Sequence, residues 1–153
     1  MRFDLHIHSC YSDGRDGVYN ILKFATKRGL DGIAITDHNT LKGSIAAQRL
    51  IHDRKLEIIL IRGAEITTSE GHLLALGVED LPPRSRSPEE TIEIIHDQGG
   101  ISIVPHPYHL FRHALFRIPK CDAVEVYNSK HLFGISNAIA WHVALRRGLP
   151  MVA

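Results

Sequence analysis

The stretch Arg2–His8 reads R-F-D-L-H-I-H, a short apolar run that carries metal-ligand types of side chain. Four more runs of this kind follow along the chain: 32–38 (G-I-A-I-T-D-H), 58–65 (I-I-L-I-R-G-A-E), 72–76 (H-L-L-A-L) and 101–106 (I-S-I-V-P-H). Each is a β-branched or aliphatic stretch with a His, Asp or Glu on it or just past it. Strand ends lie side by side in a parallel sheet or barrel, so these side chains are expected to converge.

Segments of helical periodicity separate these runs. Apolar residues recur at three- to four-residue spacing in Val18–Arg28 and Gly43–Arg54, and a last helix is expected over Leu132–Arg147. Ser87–Glu90 (S-P-E-E) predicts a capping box at the start of a further helix, which is expected to end near Gln98. Repeated strand–helix units predict an α/β protein with a parallel sheet, either a barrel or a doubly wound sheet.

The composition is that of one soluble globular domain. With 153 residues and a formal net charge of +1, the chain can form a core and has no excess charge that favours nucleic acid or an anionic membrane. We expect no membrane span, because no apolar run approaches the roughly 20 residues of a span, and no secretory signal, because no basic stretch followed by an apolar run stands at the N-terminus. Cys10 and Cys121 make a poor disulfide framework, which predicts a cytoplasmic protein. The oligomeric state stays open.

His6 and His8 form the sharpest local pattern. Residues two apart on a strand point to the same face, so both imidazoles can bind one metal while Leu5 and Ile7 pack on the other side. The sequence that follows, S-C-Y-S-D-G, places Asp13 on a tight turn directly after the strand. The alternative is that both histidines are partly exposed strand residues without a ligand role.

The later runs add further candidate ligands. Asp37 could orient the imidazole of His38, face the site itself, or belong to a surface turn. Glu65 could bridge two metals, which a histidine cannot, or could form an exposed strand end. His72 and His106 complete the set, and two flanking prolines hold His106 rigidly. Because the chain has no thiolate cluster, this donor set suits Zn²⁺, Mn²⁺ or Fe²⁺.

The remaining histidines and the cations are weaker candidates. Histidines on helices or in irregular segments are more often solvated, and this group comprises His52, His96, His109, His113, His131 and His142. His109 and His113 could still contact a substrate. Arg112, Arg117 and Lys130 lie nearer the strand ends and could hold a phosphate group.

In their order along the chain, the motifs resemble those of the PHP (polymerase and histidinol phosphatase) family. The resemblance rests on D-L-H-I-H-S-x-x-S-D-G from Asp4, G-L-D-G-I-A-I-T-D-H from Gly29, and the later G-A-E-I-T-T, G-H, P-H-P and A-V-E-V-Y-N-S. It implies a distorted (β/α)7 barrel with a two- or three-metal site at the C-terminal ends of the strands. It also implies the hydrolysis of phosphoester bonds.

The same resemblance implies seven metal ligands that are shared among three ions. The first ion is held by His6, His8 and Glu65, the second by Glu65, His72 and His106, and the third by Asp13 and His38. In this arrangement Glu65 bridges the first two ions.

Some family positions have less definite roles. Glu65, Asp13 and His38 are the residues expected to serve catalysis directly. Glu125, in the strand V-E-V-Y-N, matches a recurrent family position to which we assign no role, and Asn128 is a candidate support residue. Asp13 in place of a histidine resembles the branch of the family that includes small nucleotide phosphoesterases.

One family motif is missing from the chain. Family members follow the strand that begins at Leu149 with a Gly-Ser-Asp-Ala-His type motif, whose Asp completes the first metal and whose His completes the third. The chain stops at Ala153, where that motif is expected. We therefore expect a PHP domain over residues 1–153 that is truncated before its last strand and metal-binding motif. The chain is then a fragment, or the missing piece comes from elsewhere, or the site is degenerate.

These features together predict a metal-dependent hydrolase of phosphoester bonds. A hydroxide that bridges two metals would attack phosphorus, and the cations would neutralise the phosphoryl oxygens. The expected substrate is a small phosphorylated metabolite or a nucleotide. The alternative is a non-catalytic or partial metal-binding module with a structural or regulatory role. A hydrolase of C–N bonds on a related barrel is a weaker alternative, because we find no lysine ligand on a strand.

Overall fold

The structure is a computed structural model that describes residues 1–109, 114–129 and 134–153. These residues form seven strands and four helices. In chain order the elements are β1 (Phe3–Ile7), α1 (Val18–Lys27), β2 (Gly32–Ile35), α2 (Lys42–Arg54), β3 (Ile59–Thr67), β4 (His72–Leu76), α3 (Pro88–Asp97), β5 (Ile101–Val104), β6 (Ala123–Glu125), α4 (Ile135–Arg147) and β7 (Met151–Val152).

All seven strands belong to one sheet, which is nearly closed into a barrel. They lie in sequence order, so β1 and β7 form the two edges of the sheet. This confirms the expected α/β barrel. The sheet is not wholly parallel, however, because β4 runs antiparallel to both β3 and β5. Only residues 68–71 separate β3 from β4, and a parallel crossover needs about a dozen residues.

The length of β3 determines where Glu65 lies. Ile59–Arg62 pairs with β2, whereas Gly63–Thr67 pairs with β4. The apolar run predicts a strand that ends at Glu65, but the strand continues to Thr67 because pairing with β4 begins where pairing with β2 stops. Glu65 is therefore held inside the sheet rather than at a strand end.

Buried apolar side chains attach the helices to the strands. Leu22 of α1 and Ala47 of α2 belong to one cluster with Ile33 and Ile35 of β2. Every residue of β2 and of β4 is buried, as expected for strands that are covered on both faces. None of the helices in the described ranges has the length and apolar character that crossing a membrane requires.

The helix ends agree with the sequence pattern where they can be compared. The predicted capping box is confirmed: Ser87 Oγ accepts a hydrogen bond from the Glu90 amide at 3.2 Å, and Glu90 Oε2 accepts one from the Ser87 amide at 3.0 Å. α4 begins at Ile135, whereas its expected start at Leu132 lies outside the described residues.

Candidate metal centre

β1 brings His6 and His8 to one place at the mouth of the barrel. Their Nε2 atoms lie 3.1 Å apart, and both side chains are largely buried. The pairing of β1 with β2 changes register between Asp4 and Ile7, so His6 lies at an irregular point of the strand. Despite this irregularity, the two imidazoles lie close together, as their spacing of two residues predicts.

Glu65 is the central residue of this site. Its side chain is 1% exposed, and imidazole nitrogens face both of its carboxylate oxygens. Oε2 lies 2.8 Å from His8 Nε2, 3.2 Å from His6 Nε2 and 3.5 Å from His38 Nδ1. A buried carboxylate that is surrounded in this way can share its oxygens between bound cations.

His72 and His106 face the other oxygen of Glu65. Oε1 lies 2.8 Å from His72 Nδ1 and 2.9 Å from His106 Nε2. His72 begins β4 and pairs with Thr67, so the short β3–β4 turn returns it to the same edge of the sheet. His106 follows β5 with a φ of 31°, an uncommon conformation for a residue other than glycine.

Asp13 and His38 form the outer part of the site. Asp13 Oδ1 lies 2.6 Å from His8 Nδ1 and 3.8 Å from His38 Nε2, and the Asp13 side chain is 54% exposed. His38 follows β2 and forms an isolated parallel bridge with Glu65. Gly14 lets the Asp13 loop close onto β1, because an added Cβ would lie 2.1 Å from the His8 carbonyl oxygen.

Asp37 supports the site from behind. It is fully buried, and its carboxylate accepts hydrogen bonds from the Ser9 amide at 2.7 Å, Ser9 Oγ at 2.6 Å and Ser12 Oγ at 2.7 Å. These bonds hold the loop that carries Asp13. Asp37 thus anchors a loop, which differs from the three roles considered from the sequence.

Glu125 is a second buried carboxylate at this edge, and the sequence pattern assigned it no role. Its Oε1 lies 3.0 Å from His6 Nδ1, and its Oε2 accepts hydrogen bonds from the His106 amide at 2.6 Å and from Asn128 Nδ2 at 3.0 Å. The motif V-E-V-Y-N was the available signal, because a charged residue on a buried strand requires partners.

Hydrogen bonding outweighs burial at Glu65 and His6, whereas burial prevails at His38. Burial opposes ionisation of Glu65, but hydrogen bonds from His106 and His6 hold the pKa of its carboxyl well below the usual range. Burial also disfavours charge on His6, yet its bonds to Glu125 and Glu65 raise the pKa of its imidazole to about 10. For His38, burial dominates and lowers the pKa.

The donor set fits a cluster of divalent metals. Among the described residues, three overlapping groups each place three donor atoms within 4.8 Å of one another: His6, His8 and Glu65; His8, Asp13 and His38; and His38, Glu65 and His72. Imidazole and carboxylate donors suit Zn²⁺, Mn²⁺ and Fe²⁺. His106 Nε2 is the ring nitrogen that faces Glu65 and is the atom available to an ion there, and His106 Nδ1 is buried without a hydrogen-bond partner in the described ranges.

Two of the five candidate substrate contacts lie within the described residues. His109 lines the cleft into which the site opens. Arg117 is instead engaged at the surface, where Nη2 lies 2.7 Å from Glu70 Oε1 and 3.0 Å from Glu89 Oε2. The candidate substrate contacts outside the described residues are Arg112, His113 and Lys130.

The cleft has a volume of about 1640 Å³ and contains a cation that no sequence motif indicated. Arg15 is the one arginine or lysine among the described lining residues, and it forms no ion pair within those ranges. The wall also includes Tyr108, Phe116 and Tyr127. Position in sequence was the only signal for Arg15, which comes two residues after Asp13.

Known proteins share both the sequence and the fold. The family model described as PHP domain matches residues 4–135. An uncharacterized protein of Methanocaldococcus jannaschii is 40% identical, in a match that covers 100% of this chain and 96% of the relative. A phosphoribosyl 1,2-cyclic phosphate 1,2-diphosphodiesterase of Eggerthella lenta is 36% identical over 86 residues, which are 52% of this chain and 32% of that enzyme.

A solved structure has the same fold at lower sequence identity. It is a two-domain protein of Bacteroides vulgatus that is described as containing a predicted PHP-like metal-dependent phosphoesterase. The TM-score is 0.79 with 23% identity, and the match covers 99% of this chain and 50% of that protein. The chain therefore spans half the length of this neighbour.

Proposed function

This chain belongs to the PHP domain family, and on that basis we propose that it is a metal-dependent phosphoesterase that hydrolyses a small phosphorylated metabolite or a nucleotide. One observation carries the proposal: five imidazoles face the two oxygens of the buried Glu65 carboxylate. A carboxylate with cations on both oxygens is suited to a site of two or more metals, and such sites serve phosphatases and nucleases.

We assign the metals to the seven side chains that were expected from the resemblance. One ion would be held by His6, His8 and Glu65, a second by Glu65, His72 and His106, and a third by Asp13 and His38. Divalent ions bound there would lower the pKa of water and neutralise charge on a phosphoryl group. The described groups also bring His38 close to Glu65 and His72, so His38 can contribute to the second ion.

The residues of the site have different tasks in this proposal. Glu65 would supply a buried negative charge to both inner ions. Asp13 and His38 lie on the solvent side, where the phosphoester enters, and they position the reacting group. Hydrogen bonds from Ser9 and Ser12 to Asp37 hold the Asp13 loop in place.

Arg15 is the residue that we propose for binding the phosphate. Arg15 lines the cleft and forms no ion pair with the described residues, and a guanidinium can bind two phosphate oxygens at once. The cleft exceeds the about 300–1,000 Å³ of most small-molecule sites, so it can hold more than the reacting phosphate. Aromatic side chains such as Tyr108 and Tyr127 provide surfaces on which a base or a sugar can pack.

Hydrolysis assays with defined metals test the proposal. The purified protein, supplied with Mn²⁺ or Zn²⁺, is expected to hydrolyse members of a panel of phosphomonoesters, nucleotides and cyclic phosphodiesters. The cyclic compounds are included because the Eggerthella relative is a cyclic phosphate diesterase. A chelator should stop the reaction, and added metal should restore it.

A pair of histidine variants distinguishes the site from the rest of the surface. His8→Ala should abolish hydrolysis, whereas His52→Ala should leave it unchanged because the His52 side chain is 89% exposed on α2. Hydrolysis by His8→Ala in the presence of chelator would refute the proposal. Metal binding without hydrolysis of any panel member would instead favour a non-catalytic metal-binding module.

A further inference from the structure

Glu125 contacts two of the proposed metal ligands, His6 and His106. It ends β6, its side chain is 4% exposed, and both of its oxygens are occupied. Oε1 lies 3.0 Å from His6 Nδ1, while Oε2 accepts hydrogen bonds from the His106 amide at 2.6 Å and from Asn128 Nδ2 at 3.0 Å. One carboxylate therefore contacts the ring of one ligand and the backbone of another.

The contact with His6 determines which ring nitrogen is available to a metal. His6 Nδ1 faces Glu125, and His6 Nε2 faces Glu65 at 3.2 Å. An ionised carboxylate only accepts hydrogen bonds, so Glu125 favours a proton on Nδ1. In a neutral imidazole the lone pair then lies on Nε2, which points into the site. Carboxylates commonly orient metal-binding histidines in this way.

The contact with His106 holds an uncommon backbone conformation. His106 has a φ of 31° between two prolines, and its amide donates to Glu125 Oε2. A buried amide that lost this acceptor would be left unsatisfied, which disfavours the turn. The same carboxylate therefore keeps the turn in the shape that directs His106 Nε2 at Glu65.

The position of Glu125 in the barrel adds to this role. The sheet order leaves β1 and β7 as edges, and β6 pairs with β5 and β7. The contact between His6 on β1 and Glu125 on β6, which are 119 positions apart, therefore crosses the seam of the barrel. The described strands show no backbone pairing between β1 and β7, and the His6–Glu125 contact links the two sides of the seam.

We propose that Glu125 is a positioning residue of the metal centre, which sets the orientation of the His6 ring and the turn of His106 together and is not itself a ligand. The inference rests on the metal-binding part of the proposed function. In support, the two carboxylate oxygens of Glu125 already contact His6 Nδ1, the His106 amide and Asn128 Nδ2.

Zinc affinity of Glu125→Gln tests the role of the carboxylate. A glutamine has only one acceptor oxygen. We expect this oxygen to take the place of Oε2, where two N–H groups donate to it, rather than the place of Oε1, which contacts His6 alone. The amide NH₂ would then face His6 Nδ1 and favour the proton on Nε2. We expect zinc affinity, measured by competition with a chelating dye, to fall by about 10- to 100-fold.

Asp122→Asn is the matched control. Asp122 lies just before β6, and its carboxylate also accepts from a backbone amide and faces a histidine ring: Ser102 N at 2.8 Å and His96 Nε2 at 2.7 Å. It is outside the proposed site. Its variant should bind zinc with wild-type affinity. Equal losses in both variants would overturn the proposal, because they would reflect a general effect of removing a carboxylate.

Nitrogen NMR of the zinc-loaded wild type provides a test that does not depend on how the variants fold. Long-range ¹H–¹⁵N spectra should show His6 with a protonated Nδ1 and a zinc-bound Nε2. Zinc on His6 Nδ1, or unchanged zinc affinity in a folded Glu125→Gln, would overturn the positioning role. Failure of the wild type to bind zinc would refute the proposed metal site itself, which is a different outcome.

Discussion

Glu65 Oε1 lies 2.9 Å from His106 Nε2, although the two residues are 41 positions apart in the chain. The contact joins β3 to the turn after β5, with β4 between these strands in the sheet. Similar contacts from β1, from the end of β2 and from the start of β4 reach the same carboxylate. Replacement of this one group should therefore affect every part of the site at once.

Glu65→Gln is expected to remove bound metal while it keeps the shape of the side chain. The neutral amide cannot supply negative charge to two ions. Its NH₂ group would also place a hydrogen-bond donor against any imidazole N–H that faces it. Elemental analysis of Glu65→Gln should find no more zinc than a protein-free blank contains. The kcat/KM for any phosphoester that the wild type hydrolyses should fall by more than about 100-fold, since loss of outer-shell partners alone costs 10- to 100-fold.

An exposed glutamate serves as the control for this prediction. The Glu79 side chain is 84% exposed, so Glu79→Gln should retain metal and activity. Wild-type zinc content in Glu65→Gln would contradict the central position of Glu65.

Gly14→Ala should displace the loop that carries Asp13. Its Cβ would lie 2.1 Å from the His8 carbonyl oxygen, so the backbone has to move. We expect about 10-fold or greater loss of activity, in line with what a displaced ligand or outer-shell partner costs. Gly17→Ala is the matched control three residues later, because its added Cβ meets no atom within 4 Å. Equal activity of Gly14→Ala and Gly17→Ala would show that the position of the Asp13 loop does not affect hydrolysis.

The predictable part of the site follows from local periodicity. His6 and His8 share a face because side chains alternate on a strand, and Ser87 caps α3 because of the residues at its N-terminus. The antiparallel β4 was missed because periodicity does not give strand direction. The short separation of β3 and β4 was the signal for it, since residues 68–71 cannot cross the sheet.

Residues whose roles depend on distant partners were less predictable. Asp37 contacts Ser9, which is 28 positions away, and nothing in either local sequence indicates that pairing. Glu125 acquires its role only when β6 and β1 meet at the seam, 119 positions apart. Arg117 was expected near a phosphate, but it faces Glu70 and Glu89, which come from other segments. The contact of Glu125 depends on the closure of the barrel, whereas that of Asp37 with Ser9 depends on the pairing of β1 with β2.

Asp122 should make the metal-free protein sensitive to acid. Burial opposes its charge, but hydrogen bonds from Ser102 and His96 outweigh this and lower the pKa of its carboxyl below 3.8. A lowered pKa means that the folded state binds this proton more weakly than the unfolded state does. The contribution of Asp122 is therefore present above about pH 4 and is lost as pH falls through the folded pKa.

Urea unfolding with chelator present measures this effect. The free energy of unfolding of Asp122→Asn should lie below that of the wild type at pH 6, by less than about 1 kcal/mol because the site is partly exposed. The difference should shrink below pH 4. Asp80→Asn, at an exposed position, is the control and should track the wild type. If the difference in the free energy of unfolding between the wild type and Asp122→Asn grew as the pH fell, it would contradict the lowered pKa of Asp122.

Arg15→Ala should weaken the binding of the phosphoester more than it affects the metals. Arg15 lines the cleft beside the Asp13 loop without an ion pair in the described ranges, so its loss should leave the metal ligands in place. We expect KM to rise about 10-fold, as for loss of one charged hydrogen-bonded contact of about 1.5 kcal/mol, with zinc content unchanged. Arg84→Ala, at an exposed loop position away from the cleft lining, should leave KM unchanged.

Arg15→Lys separates charge from geometry: a lysine keeps the attraction but not the paired donors, so an intermediate KM supports direct phosphate contact. Loss of zinc in Arg15→Ala would instead assign Arg15 to the support of the Asp13 loop.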